Sequence, residues 1–139
     1  ILQVVSATTS TAVTTTSTAY VTTGITATIT PSSTSSKVLI ICHTSAMNAV
    51  SAAAQGAFTI FRGTVSGTNL GNGDVGMGIL YAASTTDLRI PVSFNFLDSP
   101  ATTSAQVYTL GMLNGGGSNV ITASAFDALS SIILMEVAA

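Results

Sequence analysis

Threonine and serine stand in this chain where most soluble domains carry charged side chains. Only three Lys or Arg and five Asp or Glu occur among the 139 residues, whereas about a quarter of a typical globular domain is charged. Thirteen threonines lie between Thr8 and Thr34, and a β-branched side chain fits a pleated strand better than a helix. The composition therefore predicts an all-β protein whose surface is solvated by hydroxyls and is available to partners.

The length is that of one domain with a core of its own. We expect a single β-sandwich domain over residues 1–139, in which Thr/Ser-rich strands of residues 1–36 pack on the main sheet. Mean hydropathy is +0.63, but the longest apolar run, residues 38–42, is too short to span a bilayer. The chain starts at Ile1 without a signal-peptide pattern, which we interpret as a processed form or a segment of a longer polypeptide.

Charge and cysteine content exclude several partners. The formal net charge is −2, and the cations are Lys37, Arg62 and Arg89. Binding to nucleic acid needs clustered basic side chains, so we predict neither a nucleic-acid partner nor membrane insertion. Cys42 is the only cysteine, so no internal disulfide forms, and packing or assembly must supply the stability.

The first half of the sequence has alternating apolar and polar residues separated by turn residues, a pattern that is typical of strands. Ile25–Thr30 alternates apolar and polar residues, which predicts a strand between Gly24 and the turn at Pro31–Ser36, with another strand over residues 12–23. The run Lys37–Thr44 predicts a strand that is buried on both faces and central to the core. Ser45–Ala54 is rich in alanine without a helical stripe, and we predict a loop there.

Further strands are predicted after this point. Leu88–Leu97 is the clearest, with apolar residues Ile90, Val92, Phe94 and Phe96 on one face and Arg89, Ser93 and Asn95 on the other, so both phenylalanines are expected in the core. Gly76 and Gly78 indicate a bulge or a close backbone approach. The remaining predicted strands are 57–62, 75–82, 105–113, 120–123 and 129–137, with a hairpin-like turn at 114–119. Eight to ten short strands predict an antiparallel β-sandwich or jelly roll.

Candidate catalytic residues are few. Cys42 and His43 are adjacent, so on a strand they point to opposite faces and cannot act as a nucleophile–base pair. A triad built on His43, the only histidine, would need a distant acid such as Asp74 or Asp98. We interpret both residues as ordinary strand residues and predict no catalytic site and no enzyme activity.

Metal and sugar sites are also weakly indicated. Gly71–Asp74 is similar to a calcium-binding turn but lacks supporting carboxylates, and a plain loop is the preferred interpretation. The five carboxylates are spread along the chain and indicate no glycosidase pair: Asp74, Asp87, Asp98, Asp127 and Glu136. Tyr20, Tyr81 and Tyr108 fit either inner-sheet positions or sugar-stacking platforms. We predict no metal and no cofactor.

Three separated segments carry a resemblance to a known group of proteins. Residues 29–40 (ITPSSTSSKVLI), 96–104 (FLDSPATTS) and 134–139 (LMEVAA) resemble modules of bacteriophage tail-fibre and related virion structural proteins, particularly of marine and cyanobacterial phages. The opening Leu2–Val5 fits the same pattern. The matches extend from the start of the chain to its end, although residues 44–88 match no pattern.

The resemblance implies a non-enzymatic virion protein. It implies a homotrimer displayed on the particle exterior as a fibre tip, knob or decoration, with other virion proteins and a host surface glycan or protein as partners. Receptor-binding residues are not indicated. The alternatives are a capsid decoration or head-fibre protein with a purely structural role and, as the weakest, a polysaccharide depolymerase.

Overall fold

A computed structural model describes residues 1–49, 54–83, 86–116 and 119–139. Within these ranges the chain forms strands and one short 3-10 turn at Ala125–Asp127, which confirms the predicted all-β class. None of the described residues belongs to a helix long and apolar enough to cross a membrane. The strands are β1 (Gln3–Thr9), β2 (Val13–Thr15), β3 (Val21–Ile29), β4 (Lys37–Ala49), β5 (Ala54–Arg62), β6 (Thr68–Asn69), β7 (Gly78–Ala82), β8 (Leu88–Asp98), β9 (Gln106–Asn114), β10 (Val120–Ala123) and β11 (Ser130–Val137).

Antiparallel pairing joins these strands into two sheets. In the first sheet, β8 pairs with one edge of the central strand β4, β11 and β10 pair with its other edge, and β1 and β2 pair outside them. In the second sheet, β3, β9 and β5 lie side by side, and β6 and β7 share the far edge of β5. Each sheet is therefore four strands wide, and the predicted antiparallel sandwich is confirmed.

The core lies between the sheets and is built by alternating residues. Val38, Ile40 and Cys42 of β4 are fully buried there, opposite residues such as Ile60 and Leu110 of the second sheet. The prediction that β4 is central to the core is confirmed. The prediction that both of its faces are buried is wrong, because a strand in a two-layer sandwich packs only one face against the other sheet.

The predicted loop at Ser45–Ala54 is also wrong over its first part. β4 continues to Ala49 because β8 pairs with it as far as Asn48. Ala46 and Asn48 are buried, so this end of β4 keeps the inward and outward alternation of the rest of the strand. Residues 50–53 of the predicted loop lie outside the described residues, and β5 begins at Ala54.

The predicted strand at residues 12–23 is divided, and Gly24 does not end a strand. β2 covers only Val13–Thr15, and Val21 already belongs to β3. Gly24 lies inside β3 with φ +80°, at a shift of register between Thr22 and Thr26. A positive φ suits glycine, so this residue forms a β-bulge in a continuous strand. The predicted strand at residues 25–30 is confirmed as far as Ile29.

The predictions for residues 114–119 and for Gly76 have different outcomes. The hairpin-like turn at residues 114–119 is wrong, because β9 belongs to the second sheet and β10 to the first; residues 117 and 118 lie outside the described residues. The close approach at Gly76 is confirmed. A Cβ atom there would contact the carbonyl oxygen of Phe58, to which the Met77 amide donates a hydrogen bond of 2.8 Å.

Strand β8 has the predicted faces, but its phenylalanines are not fully buried. Arg89, Ser93 and Asn95 are exposed, whereas Val92 is buried. Phe94 and Phe96 are only partly buried and pack against the core, because β8 is an edge strand. The Phe94 ring lies over Gly78 of β7, where a Cβ atom would be 2.8 Å from the ring. This ring closes one side of the sandwich.

We expect Phe94→Ala to lower the free energy of unfolding by about 2 kcal/mol, less than the loss of about 3–5 kcal/mol for a fully buried phenylalanine. Thr28→Ala, at an exposed position of β3 on the other sheet, is the control and should change it by less than about 0.5 kcal/mol. Urea denaturation at one fixed protein concentration measures both. Equal values for the two variants would show that the Phe94 ring does not pack between the sheets.

Candidate functional site

The outer face of the second sheet is covered by the chain itself over β5 and β9, whereas outward residues of β3 and β7 are exposed. The outward residues of β5 and β9 are almost inaccessible: Thr59 is fully buried, and Phe61 is 4% and Leu113 7% exposed. Tyr20 packs edge-on against Phe61, with ring centroids 5.3 Å apart. The Thr59 hydroxyl donates a 2.6 Å hydrogen bond to Asn69 Oδ1. The segments around residue 20 and residues 63–77 therefore form a third layer over β5 and β9.

The outer face of the first sheet carries large apolar side chains. The register aligns Val4 with Met135, Met135 with Leu39, and Leu39 with Leu97, so one row of apolar residues crosses four strands. Ile133 and Ile41 are paired in the next apolar row. Val4 is 58%, Leu97 48% and Ile41 36% exposed. We call this set the outer apolar cluster: Val4, Leu39, Ile41, Leu97, Ile133 and Met135.

Charged side chains lie only at the two ends of this face. Among the outward residues of β1, β4, β8 and β11, Lys37 begins β4, and Arg89 lies at the opposite end, aligned with Met47. Between them come His43 and hydroxyl or amide residues such as Ser93 and Asn95. The Ser131 hydroxyl and His43 Nδ1 are 3.5 Å apart. The outward residues at the centre of these four strands therefore include no Lys, Arg, Asp or Glu.

A strained segment between β10 and β11 projects beside Arg89. Ser124, Phe126 and Asp127 have φ between 50° and 59°, a conformation that costs non-glycine residues about 1–3 kcal/mol each. The buried Thr44 hydroxyl anchors it by accepting hydrogen bonds from the Ser124 amide (3.0 Å) and the Ser130 hydroxyl (2.9 Å). Phe126 is 71% exposed, and its ring centroid is 4.9 Å from Arg89 Cζ. The segment presents an aromatic ring to solvent.

The residues that a nucleophilic mechanism would need are not brought together. Cys42 is fully buried on the inner face of β4, where desolvation raises the pKa of its thiol to about 12. His43 is exposed on the outer face. The thiol therefore stays protonated at neutral pH and lies on the opposite side of the strand from the imidazole.

Asp98, one of the two acids considered for a triad, is held in the interior. Its Oδ2 atom accepts a 2.7 Å hydrogen bond from the Tyr108 hydroxyl and is 3.6 Å from Arg62 Nη1. Burial, and then the bond to Asp98, raise the pKa of Tyr108. Because Asp98 lies on β8 and its two partners lie on β9 and β5, this cluster joins the two sheets at one end of the sandwich.

The loop at Gly71–Asp74 has the geometry of an ordinary turn. Asn72 Oδ1 accepts hydrogen bonds from the amides of Asp74 (2.9 Å) and Val75 (3.3 Å). The side-chain oxygen therefore satisfies backbone donors. Across the described residues, no group of three or more His, Cys, Asp or Glu side chains has a geometry suited to a metal ion.

The three tyrosines have different environments. Tyr108 is fully buried, and Tyr20 covers Phe61. Tyr81 on β7 is 59% exposed, so its side chain is the most accessible of the three. An apolar crevice of about 210 Å³ lies between β7 and β8, lined by Phe58, Leu80 and Ile90 among others, and a groove of about 260 Å³ on the second sheet is lined by threonine and valine.

Glu136 turns inward and holds the connection between β3 and β4. Its Oε1 atom accepts hydrogen bonds from the Ser32 hydroxyl (2.6 Å) and the Ser32 amide (2.7 Å). The hydroxyl bond is the largest cause that holds the pKa of this carboxyl below its usual value, and the amide bond follows. Glu136 is only 1% exposed, so the carboxylate serves as an internal acceptor for the turn at residues 31–36.

We expect Glu136→Gln to destabilise the protein at pH 7 and to lose this effect in acid. A carboxyl whose pKa is lowered on folding stabilises the folded state above its unfolded pKa, and this contribution disappears as the pH falls through the folded pKa. Urea midpoints of wild type and variant, measured from pH 7 down to pH 2.5, should therefore converge. A constant difference across this range would contradict the role assigned to the charge.

The chain is similar to solved structures of a viral protein. No family model matches the sequence, and no curated protein matches it. The VP2 subviral particle of infectious bursal disease virus is 14% identical, with a TM-score of 0.43, over 98% of this chain and 38% of VP2. A mutant VP2 of the same virus, in derived T=1 particles, is 12% identical, with a TM-score of 0.43, over 96% of this chain and 36% of VP2. The chain thus spans little more than a third of those proteins, and at these values the likeness carries no conclusion about function.

Proposed function

We propose that this chain is a non-enzymatic structural module of a virion that assembles with copies of itself. The observation that carries the proposal is the outer face of the first sheet, which is apolar at its centre and which the described chain leaves uncovered. Monomeric proteins rarely expose large contiguous apolar patches, and such patches mark association sites. Residues 29–40, 96–104 and 134–139 resemble virion proteins, and this resemblance supports a virion as the particle in which the chain assembles.

A structural role also fits the reactive groups. The Cys42 thiol is buried, and the Asp98 and Glu136 carboxylates accept internal hydrogen bonds. A hydrolase could use such side chains as a nucleophile or as an acid or base. In this chain they are buried, and the two carboxylates hold strands and turns together. The proposal therefore assigns the polar interior to stability and the surface to function.

In its finer form, the module is a bacteriophage tail-fibre tip or knob on the particle exterior, arranged as a homotrimer, which contacts the host through loops at one end of the sandwich. The exposed Phe126 on its strained segment supports a contact role for that end, because strained backbone and exposed aromatic rings are both concentrated at interaction sites.

The test is to locate the chain on virus particles purified from the source of this sequence. Gold-labelled antibody against the chain is expected to label the outside of intact particles at the tail. Labelling of the head would select the decoration or head-fibre alternative instead. If the antibody detected the chain in infected cells but not in purified particles, the proposal would be wrong.

A separate assay addresses the depolymerase alternative. Purified protein is incubated with host surface polysaccharide, and the products are separated by size. We expect no release of oligosaccharide above a buffer control. Release that persists in Phe126→Ala and disappears on heat denaturation would show that the chain is an enzyme and would overturn the structural assignment.

A further inference from the structure

We infer that the outer face of the first sheet is the surface on which a second copy of this chain docks, with the outer apolar cluster at the centre of the contact. This inference rests on the proposed function, since it names the interface through which the module assembles. It is carried by the difference between the two outer faces of the sandwich, by the size of the uncovered face and by its charge.

The two outer faces of the sandwich differ in how far the chain itself covers their outward side chains. Outward residues at the middle of the second sheet lie under other segments of the same chain, so Thr59 is fully buried and Phe61 is 4% exposed, whereas Ile79 and Tyr81 of β7 are 47% and 59% exposed. On the first sheet, Val4 and Leu97 lie at either end of the cross-strand row and remain 58% and 48% exposed. The chain therefore covers the second sheet over β5 and β9, and it leaves the cross-strand apolar row of the first sheet uncovered.

The uncovered face is large enough for a small specific interface. Strands lie about 4.8 Å apart and residues rise about 3.4 Å each, so the stretch where β1, β11, β4 and β8 lie side by side has an area of about 500 Å². Two copies would bury about 1,000 Å² in total, which is near the lower limit for a specific protein–protein interface. The apolar centre with charges at the ends also matches the usual arrangement of an interface core and a polar rim.

Charge selects a second copy over other partners. A face that carries only Lys37 and Arg89, at opposite ends, brings no like charges together at its centre when it meets the same face of another copy. It also offers no cluster of charge to attract a nucleic acid or an anionic surface. Apolar side chains in register across four strands complement another apolar sheet face, which a second copy of this chain provides.

The first experiment places charge in the interface. Val4→Lys combined with Leu97→Lys is expected to raise the concentration needed for association by about tenfold or more, because the lysines would be buried against apolar residues. The matched control is Thr26→Lys combined with Thr28→Lys, which adds the same charge to exposed positions of β3 on the second sheet and should leave association unchanged. Sedimentation velocity measures association, and circular dichroism checks the fold.

The second experiment uses accessibility and does not need a disrupted interface. Cys42 is buried and its thiol pKa is about 12, so it gives little background in maleimide labelling at neutral pH. Asn95→Cys, beside Leu97 on β8, is expected to label at least about fivefold more slowly in the associated protein than in dilute protein. Thr28→Cys should label at the same rate in both.

The outcomes separate this inference from the proposed function. If wild-type protein stayed monomeric at every concentration, the proposed assembly itself would fail. If wild type associated, but the lysine pair on the first sheet changed nothing or Asn95→Cys labelled freely, assembly would stand and the assignment of this face would be wrong. If the control pair on β3 abolished association instead, the interface would lie on the second sheet.

Discussion

Phe58→Ala is expected to lower the free energy of unfolding by about 3–5 kcal/mol, the range for deletion of a buried phenylalanine side chain. Phe58 is fully buried on β5 and belongs to the core between the sheets. Its ring also lines the crevice between β7 and β8, so the truncated site would join an existing gap that neighbouring side chains do not fill.

Phe126→Ala is the matched control, because the same atoms are removed from a residue that is 71% exposed. We expect a change of less than about 0.5 kcal/mol. Denaturation must be followed at one protein concentration, since assembly stabilises the folded chain by mass action. A loss of less than about 1 kcal/mol for Phe58→Ala would contradict the position of the core.

Asp98→Ala has the second largest expected effect, a loss of about 3 kcal/mol of stability. The change removes the acceptor of the Tyr108 hydroxyl, which is fully buried, and the ionic partner of Arg62. Two polar groups would then lack the carboxylate that joins β8 to β9 and β5. An orphaned buried hydroxyl alone costs about 1–3 kcal/mol.

Asp87→Ala is the control for Asp98→Ala. Asp87 also pairs with an arginine, Arg89, at 3.4 Å, but both side chains are well exposed, and exposed ion pairs contribute about 0–1 kcal/mol. Chemical denaturation should rank the two variants clearly. Tyr108→Phe should lose about 1–2 kcal/mol on its own. Similar losses for the two aspartate variants would show that Asp98 does not join the sheets.

The sequence predicts best those strands whose two faces differ in polarity. Alternation in residues 25–30 and 88–97 gives the correct strands and faces, since one side meets the core and the other meets water. The apolar run at residues 38–42 has no such contrast, so its pattern could not show that Ile41 lies outside the core. Its outward apolar residues belong to the surface cluster.

Other features depend on contacts that are distant in sequence. The composition of Ser45–Ala49 predicts a loop, but this segment belongs to strand β4 because β8 pairs with it. The turn at residues 114–119 has hairpin chemistry, yet β9 and β10 join different sheets. The outer apolar cluster combines residues from β1, β4, β8 and β11, so it appears only when the register is known. The sequence did contain a signal for it. Leu39 and Ile41 in β4, and Ile133 and Met135 in β11, are apolar residues at the alternate positions that face away from the core.

Sedimentation velocity of the unmodified chain from about 1 to 100 µM tests whether the first sheet binds another copy. Burial of an apolar face of about 500 Å² per copy predicts a species of two or more chains that dominates at the upper concentrations. A single species with the 13.9 kDa mass of one chain across the whole series would contradict the claim that the first sheet covers its outer face with another copy.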